Sequence, residues 1–340
     1  MAGSGSVGRA GRLLAAIVLG LVCTKVARAD GMKAAMLLPG SINDQSWNAL
    51  GYSGLMKIKS LGIATAYSEN VPDSDDTASM EDYARQGYGI ILGHSGRFLS
   101  AAEQVGPDYP KVQFIIGGGA GGQAPNVMSI DFNNAEFGCQ IGVLAARMSK
   151  TGKVGGVYGL EGLPNIVAQA GAFRLCARKA RPDITVTIIY IKDMEDAASG
   201  KEAALSLIAN GADVLTGKLN AAMNGVIAAA KEKGVYATAR SVDSIATAPK
   251  QVLTALVEHW GDMYGAAAAD AKAGHLSGSF VQYGYATADR TTGANFVYGS
   301  GEFSPAVPKP VVDELMAMQK TFAAGGMKIT PTREDARGGS

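Results

Sequence analysis

The chain has 340 residues, of which 47% are hydrophobic and 18% are charged. This length and composition are typical of two globular domains or one large two-lobed unit, and they exclude a peptide or a disulfide-stapled mini-protein. Lys and Arg number 31 against 30 Asp and Glu, which gives a formal net charge of +1. Such a balance argues against the basic surface with which proteins bind nucleic acid, so no nucleic-acid partner is expected.

The N-terminal segment carries an export pattern. Two arginines precede an apolar run at residues 13–22, and Ala27-Arg28-Ala29 supplies the small residues that signal peptidase recognises. We therefore predict a signal peptide over residues 1–29 and a mature protein in the periplasm. A lipoprotein attached through Cys23 is the alternative, which the preceding Val22 disfavours. No later apolar run reaches about 18 residues, so no membrane span is predicted.

Cleavage would leave two cysteines, Cys139 and Cys176, each within a helix-like apolar stretch. Buried free thiols are the simpler expectation for them, and one disulfide in an oxidising compartment is the alternative. Neither cysteine has a histidine or another cysteine nearby, and the three histidines lack a second ligand at helical spacing. The sequence therefore predicts neither a metal site nor a cofactor.

From Lys33 onward, short apolar runs alternate with helical patterns, beginning with a strand at 34–38 and an amphipathic helix that extends to Leu61. Further strands are predicted at 63–67, 89–93, 112–116, 154–158, 185–191, 213–216, 235–239 and 251–257, and further helices at 77–86, 98–105, 134–148, 165–179, 200–210 and 221–233. Strands that alternate with helices form parallel sheets, so two Rossmann-like lobes are expected. Ligands of such sheets bind beyond the carboxyl ends of the strands.

Two short motifs suggest chemistry but lack the context that the chemistry needs. Gly117, Gly119 and Gly122 match a dinucleotide-binding glycine pattern, yet Gln-Ala-Pro-Asn follows where a helix should begin. The run Gly93-His94-Ser95-Gly96 resembles half of a hydrolase elbow without its spacing. We interpret both as loops that follow buried strands.

The segment Asn43-Asp44-Gln45-Ser46-Trp47-Asn48, directly after the first strand, resembles the N-D-x-S-F-N signature of the BMP (basic membrane protein, PnrA-like) family of ABC transporter substrate-binding proteins. Met148-Ser-Lys-Thr-Gly-Lys-Val-Gly155 is similar to the family's S-K-T-G-K-V-G, and Gly211-Ala-Asp213 and Ser241-Val-Asp243 resemble its G-A-D and G-V-D motifs. The resemblance implies an α/β type I periplasmic binding protein that binds a purine base or nucleoside without performing chemistry.

The resemblance also implies an organisation and a partner. Two Rossmann-like lobes are joined by a hinge of three chain crossings, with residues 30–131 and 258–281 in lobe 1 and residues 132–257 and 282–330 in lobe 2. Residues 331–340 form a C-terminal tail. The expected protein is a monomer that delivers its ligand to an ABC permease in the inner membrane.

Several ligand contacts follow from the first motif. The family's stacking aromatic falls on Trp47, whose indole offers a large flat surface to a base, although the residue also fits the start of the buried face of its helix. Asp44 has two possible roles, to accept ligand N–H groups or to cap the helix. Asn43 of the same motif and His94 after the third strand complete this side of the predicted site. The family's second aromatic is replaced by Met194.

The other predicted contacts lie in the second lobe, except Glu258, which begins the second segment of lobe 1. Asp243, expected at a strand end, occupies the position that holds ribose hydroxyls in the family. Glu258 replaces the family's usual lysine, as in a branch associated with adenine-like free bases, and would accept N–H donors from the base. Lys218 and Asn220 follow a strand and could donate to ring nitrogens.

Three alternatives stay open at this point. A nucleoside-processing hydrolase or transferase would use Asp44 and Asp243 as acid and base. Another flat ligand such as riboflavin is conceivable because Met194 leaves the second stacking wall less defined. The bound protein could also dock onto a membrane sensor rather than a permease.

Overall fold

The structure is a computed structural model that describes residues 1–5, 32–44, 46–274 and 278–340. The predicted cleavage site and Cys23 therefore lie outside the described residues. The chain divides into the units Met1–Gly31 and Met32–Ser340, and every element below belongs to the second unit. None of the helices in the described ranges is long and apolar enough to cross a membrane.

Strands and helices alternate along most of this unit, as the periodicity predicts. In chain order, the strands are β1 (Lys33–Leu37), β2 (Ala64–Ser68), β3 (Ile90–Gly93), β4 (Gln113–Gly117), β5 (Gly122–Gln123), β6 (Val127–Phe132), β7 (Lys153–Tyr158), β8 (Thr185–Tyr190), β9 (Val214–Lys218), β10 (Tyr236–Ala239), β11 (Val252–Glu258), β12 (Phe280–Tyr283) and β13 (Ala294–Val297). The helices are α1 (Trp47–Ser60), α2 (Asp76–Arg85), α3 (Phe98–Val105), α4 (Asn134–Met148), α5 (Pro164–Ala180), α6 (Ala197–Ala209), α7 (Met223–Lys233), α8 (Val242–Thr247), α9 (Trp260–Lys272) and α10 (Lys309–Ala323).

The first sheet has the strand order β12-β6-β4-β3-β1-β2, with the short β5 antiparallel to β6 and the other pairs parallel. Apolar residues of β1, β3 and β4 are buried, which is typical of a parallel sheet covered on both faces. Helices α1 and α9 pack against each other beside this sheet. Gly54 permits their close approach, because a Cβ at this position would lie 2.5 Å from the Tyr264 ring of α9.

The second sheet has the order β13-β11-β10-β9-β7-β8, with β13 antiparallel and the other strands parallel. Helices α4 and α5 pack closely because Gly138 and Gly142 face the α5 backbone, where any Cβ would clash. Cys139 of α4 and Cys176 of α5 form a disulfide at this contact. The simpler expectation of two free thiols is therefore wrong, and the alternative of one disulfide is confirmed.

The chain passes between the two sheets three times. The crossings follow β6 into α4, β11 into α9, and β12 into β13. Three crossings of this kind are the connectivity that the predicted hinge requires. They bring the carboxyl ends of β9, β10 and β11 opposite the start of α1.

The elements β5, β12, β13, α8, α9 and α10 were not predicted, and two further features differ from the sequence predictions. Strand β6 was not predicted, because Ser129 and Asp131 interrupt its apolar run, although both are buried. Asp243 does not end a strand: β10 ends at Ala239, and Asp243 lies in the first turn of α8, which Ser241 caps. The predicted C-terminal tail, residues 331–340, is bound to the second sheet, since Gly339 exchanges two backbone hydrogen bonds with Ile188 of β8.

Candidate functional site

A cavity of about 480 Å³ lies between the first residues of α1 and the ends of β9, β10 and β11. Its volume falls within the range of roughly 300 to 1,000 Å³ that is usual for small-ligand sites. Five of the nine predicted ligand residues line it, namely Asp44, Trp47, Asn220, Asp243 and Glu258. The wall that faces the indole also includes Arg240, which the sequence analysis did not identify.

Asp44 caps the start of α1. Its Oδ1 accepts hydrogen bonds from the N–H groups of Ser46 and Ala49, each at 2.9 Å, and its Oδ2 accepts the N–H and side-chain amide of Asn48, each at 2.8 Å. Burial alone would raise the pKa of Asp44, but these four donors lower it below its ordinary value. The structure thus shows the capping role, which occupies both carboxylate oxygens.

Trp47 is held from behind by His94. The two rings stack with centroids 4.1 Å apart and planes 18° apart, and Trp260 meets the indole edge-on at 5.0 Å. The indole N–H donates to the His94 carbonyl oxygen at 2.8 Å. Trp47 is half-buried and borders the cavity. One face of the indole is therefore covered by the protein, and its position is fixed by a hydrogen bond.

His94, for which a direct ligand contact was predicted, is not among the residues that line the cavity. Its imidazole is completely buried, with Nε2 2.8 Å from the Trp47 carbonyl oxygen and Nδ1 2.9 Å from the Tyr264 hydroxyl. A carbonyl oxygen only accepts, so Nε2 carries the proton and Nδ1 accepts from the tyrosine. Burial lowers the pKa of His94 to about 4, so the ring is neutral at pH 7.

Glu258 at the end of β11 is the centre of a buried ionic network. Its Oε2 accepts the Trp260 indole N–H at 2.8 Å, and its Oε1 accepts hydrogen bonds from Arg240 and, at 3.4 Å, from Lys218. Burial alone would raise the pKa of Glu258, but the two cations hold it well below its usual range. Glu258 borders the cavity as an ionised carboxylate that three protein donors already engage.

Lys218 lies behind the cavity wall rather than on it, which corrects its prediction as a ligand donor. Its ammonium group is buried, donates to Asn134 Oδ1 at 2.7 Å and lies 4.4 Å from the centroid of the Phe132 ring. Burial lowers the pKa of Lys218, and Glu258 offsets part of that effect. Since Asn134 and Glu258 belong to two different crossings between the sheets, Lys218 links these crossings.

Asp131, which the sequence analysis missed, is buried beside the same network. Its Oδ1 accepts the N–H of Phe132 at 2.8 Å, while its Oδ2 has no hydrogen-bond partner among the described residues. Burial raises the pKa of Asp131 to about 7, an effect that Lys218 partly opposes. A carboxylate inside an otherwise apolar run is the signal that could have revealed this strand residue.

The remaining predicted residues divide between the cavity wall and its surroundings. Asp243 is exposed on the wall, and Asn220 donates from Nδ2 to Glu195 Oε1 at 2.5 Å. Met194 lies outside the wall, where its side chain packs against Gly159 and its carbonyl oxygen accepts the N–H of Asn220. Asn43 is exposed and also lies outside the wall.

The described residues contain no cluster of three or more His, Cys, Asp or Glu side chains that could hold a metal ion. The side chains that meet at the cavity instead provide one aromatic surface, one guanidinium group and several hydrogen-bonding oxygens. This is the composition of a site that holds a flat polar molecule by stacking and hydrogen bonds.

Comparisons with known proteins identify the family of the chain. The family model of the ABC transporter substrate-binding protein PnrA-like group matches residues 32–288. The transcriptional activator protein med of Bacillus subtilis is 30% identical over 296 residues, which are 86% of this chain and 89% of that protein. A purine-binding protein of Brucella abortus is 30% identical over 210 residues, which are 61% of this chain and 59% of that protein.

The fold has solved counterparts. An ABC transporter solute-binding protein from Conexibacter woesei has a TM-score of 0.67 at 20% identity, and the match covers 88% of this chain and 99% of that one. This likeness confirms the predicted α/β type I periplasmic binding fold. The matched family is one of extracytoplasmic solute-binding proteins. On the family match, which spans most of its length, this chain belongs to the PnrA-like (Bmp) family of ABC transporter substrate-binding proteins.

Proposed function

We propose that the protein binds a purine base or purine nucleoside in the cleft between its two sheets and delivers it to an ABC permease. The observation that carries this proposal is the half-buried indole of Trp47 on the cavity wall, backed by His94 and fixed by a hydrogen bond. A fixed aromatic face stacks on a base at little entropic cost. We infer that the ligand ring lies on the indole face that His94 leaves uncovered.

The opposite wall supplies polar partners for such a ligand. The exposed carboxylate of Asp243 accepts no hydrogen bond from any described residue, so both oxygens are available to ligand hydroxyl or N–H groups. Asn220 borders the same wall. The similarity to the Brucella abortus protein, which is named a purine-binding protein, supports the same class of ligand.

The expected preference for adenine needs revision, because it rested on free oxygens of Glu258. Arg240, Lys218 and Trp260 already donate to this carboxylate. Replacing Glu258 would therefore act on a ligand mainly by releasing Arg240. The case for riboflavin weakens too, since it rested on Met194, which lies outside the cavity wall.

A catalytic use of the cleft is not favoured by its carboxylates. Asp44 would have to exchange a proton with a substrate, yet both of its oxygens accept backbone or amide N–H groups. Its lowered pKa also makes it a poor acid or base near neutral pH.

We propose a periplasmic protein that acts as a monomer, with residues 1–29 removed on export.

Native mass spectrometry of the protein as purified, followed by calorimetry with purine bases and nucleosides, tests the proposal. Trp47→Ala should weaken the binding of every purine by about 1 to 3 kcal/mol, the usual contribution of base stacking on an aromatic side chain. Trp47→Phe is the matched control, since it keeps an aromatic face and should lose less.

Two results would contradict the proposal. One is a folded parent that binds no purine but binds a sugar or amino acid tightly. The other is a folded Trp47→Ala variant with undiminished affinity for purines. Circular dichroism spectra of parent and variants establish that each protein compared is folded.

A further inference from the structure

Arg240 differs from every other residue of the cavity wall in charge. Among the described residues that line the cavity, it is the only one with a positively charged side chain. Of the three carboxylates on the wall, Asp44 is occupied by helix N–H groups and Glu258 by the buried network. The charged groups that remain available to bind a ligand are therefore the Arg240 guanidinium and the Asp243 carboxylate.

The Arg240 side chain is fixed at both ends of its guanidinium group. Nη1 donates to the Leu219 carbonyl oxygen at 2.6 Å, and Nη2 donates to Glu258 Oε1, which Lys218 also approaches. The side chain is only 13% exposed. A guanidinium carries five N–H groups in a rigid plane, so up to three remain for a ligand. Little conformational freedom is lost when a ligand accepts them.

The two classes of purine present different partners to such a donor. A purine with an oxygen at C6 shows two neighbouring acceptors, O6 and N7, to which arginine binds in bidentate fashion. A purine with an amino group at C6 shows one acceptor and one donor on the same edge, and the donor meets the arginine N–H groups unfavourably. This edge stays free whether or not a sugar is attached at N9.

We propose that Arg240 makes the cleft selective for 6-oxopurines, as bases or nucleosides, over the corresponding 6-aminopurines. The inference rests on the proposed function, since it concerns the ligand of the same cleft. Glu258 then acts as a positioning residue that holds the guanidinium, and Asp243 accepts hydrogen bonds from the ligand's own N–H or hydroxyl groups.

Calorimetry with hypoxanthine against adenine, and with inosine against adenosine, tests the inference. The two members of each pair differ in the group at C6 and in whether N1 carries a proton. The parent should bind the 6-oxo member at least about fivefold more tightly, the lower end of what a good bidentate pair contributes. In Arg240→Met this ratio should fall towards one, whereas Arg178→Met, which removes an exposed arginine of α5, should keep it.

Arg240→Lys keeps the charge but lacks the planar guanidinium group, so it should also lower this affinity ratio. It takes the place of Arg240→Met if that variant does not fold. A parent that binds purines without preferring the 6-oxo member would overturn the selectivity and leave the proposed function intact. The same holds for a folded Arg240 variant that keeps the full ratio. A folded parent that binds none of the four compounds would instead overturn both proposals.

Discussion

His94 supports Trp47 through three contacts of a single residue. Its ring covers one face of the indole, its carbonyl oxygen accepts the indole N–H, and its Nε2–H donates to the Trp47 carbonyl oxygen. Burial keeps the ring neutral, with the proton on Nε2 and with Nδ1 accepting from the Tyr264 hydroxyl. The residue therefore fixes the position of the indole without lining the cavity itself.

This arrangement predicts a loss of stability in acid. The pKa of His94 is about 4 in the folded protein against an ordinary 6.5, so the unfolded chain takes up the proton first as the pH falls. The stabilising contribution is complete above pH 6.5 and disappears as the pH falls towards 4. From the two pKa values it amounts to about 3 kcal/mol. Urea unfolding of the parent between pH 7.5 and 4.5 measures it.

The control for this prediction is His94→Gln, which does not titrate in that range. Asp131, whose pKa is raised to about 7, makes the free energy of unfolding change with pH in the opposite direction, because its stabilising effect is lost as the pH rises towards 7. This effect is the same in the parent and in His94→Gln. The parent should therefore be more stable than the variant by a margin that shrinks in acid. A margin that stays constant between pH 7.5 and 4.5 would contradict the prediction.

Among the elements, the C-terminal segment has a larger role than its position suggests. The guanidinium of Arg174 in α5 is buried and donates to the carbonyl oxygens of Asp335 at 3.1 Å and Gly339 at 2.5 Å. Tyr190 of β8 donates to the Ala336 carbonyl oxygen. The segment thus supplies the acceptors for a buried charge and covers the edge of the second sheet.

Deleting residues 332–340 should therefore destabilise the protein by about 3 kcal/mol or more, because the buried guanidinium loses two of its three carbonyl acceptors. Urea unfolding of the truncated and full chains measures the loss. Arg174→Met in the truncated chain removes the orphaned charge and should recover part of it, which a double-mutant cycle would show as coupling. A truncated chain as stable as the full one would refute this role.

The sequence patterns predicted those elements whose apolar residues follow a regular spacing. Helix α3 and helix α4 have the predicted bounds, and the central strands differ by one or two residues. Strands β5, β6, β12 and β13 and helices α8, α9 and α10 were not predicted; polar residues interrupt β6, and α8 has only six residues.

Some site residues could be predicted from local sequence motifs, whereas the roles of others depend on contacts between segments that are distant in the sequence. The positions of Trp47 and Asp243 on the cavity wall were predictable from motifs that resemble those of a known family. The pairing of Glu258 with Arg240 and Lys218, and the position of His94 behind Trp47, depend on contacts between distant segments. Spacing along one chain carries no information on such contacts, so the roles of these residues were not predictable.

At the scale of the whole molecule, the cavity wall and the crossings between the sheets share residues. Lys218 donates to Asn134 in the first crossing and to Glu258 in the second, and Glu258 holds Arg240 on the cavity wall. A ligand that hydrogen-bonds to Arg240 would therefore contact a network that links two of the three crossings between the sheets.

Because Trp47 and Asp243 lie on opposite walls, a ligand that contacts both favours the closed arrangement of the two sheets. Small-angle scattering should show a smaller radius of gyration when the protein is saturated with a bound purine. Trp47→Ala at the same purine concentration should show a smaller change, in proportion to its lower occupancy. An identical scattering profile for the free and saturated parent would speak against a site between the sheets.

The pairing of β12 with β6 also bears on the order in which the molecule can be assembled. The first sheet is completed by residues 280–283, which are made long after residues 127–132. At about 5 to 20 residues per second, a growing chain would present β6 as an open strand edge for about 10 to 30 s. Open edges of buried, apolar strands are templates for pairing with other chains. The pair of β12 with β6 is therefore the last pair of the first sheet that can form during synthesis.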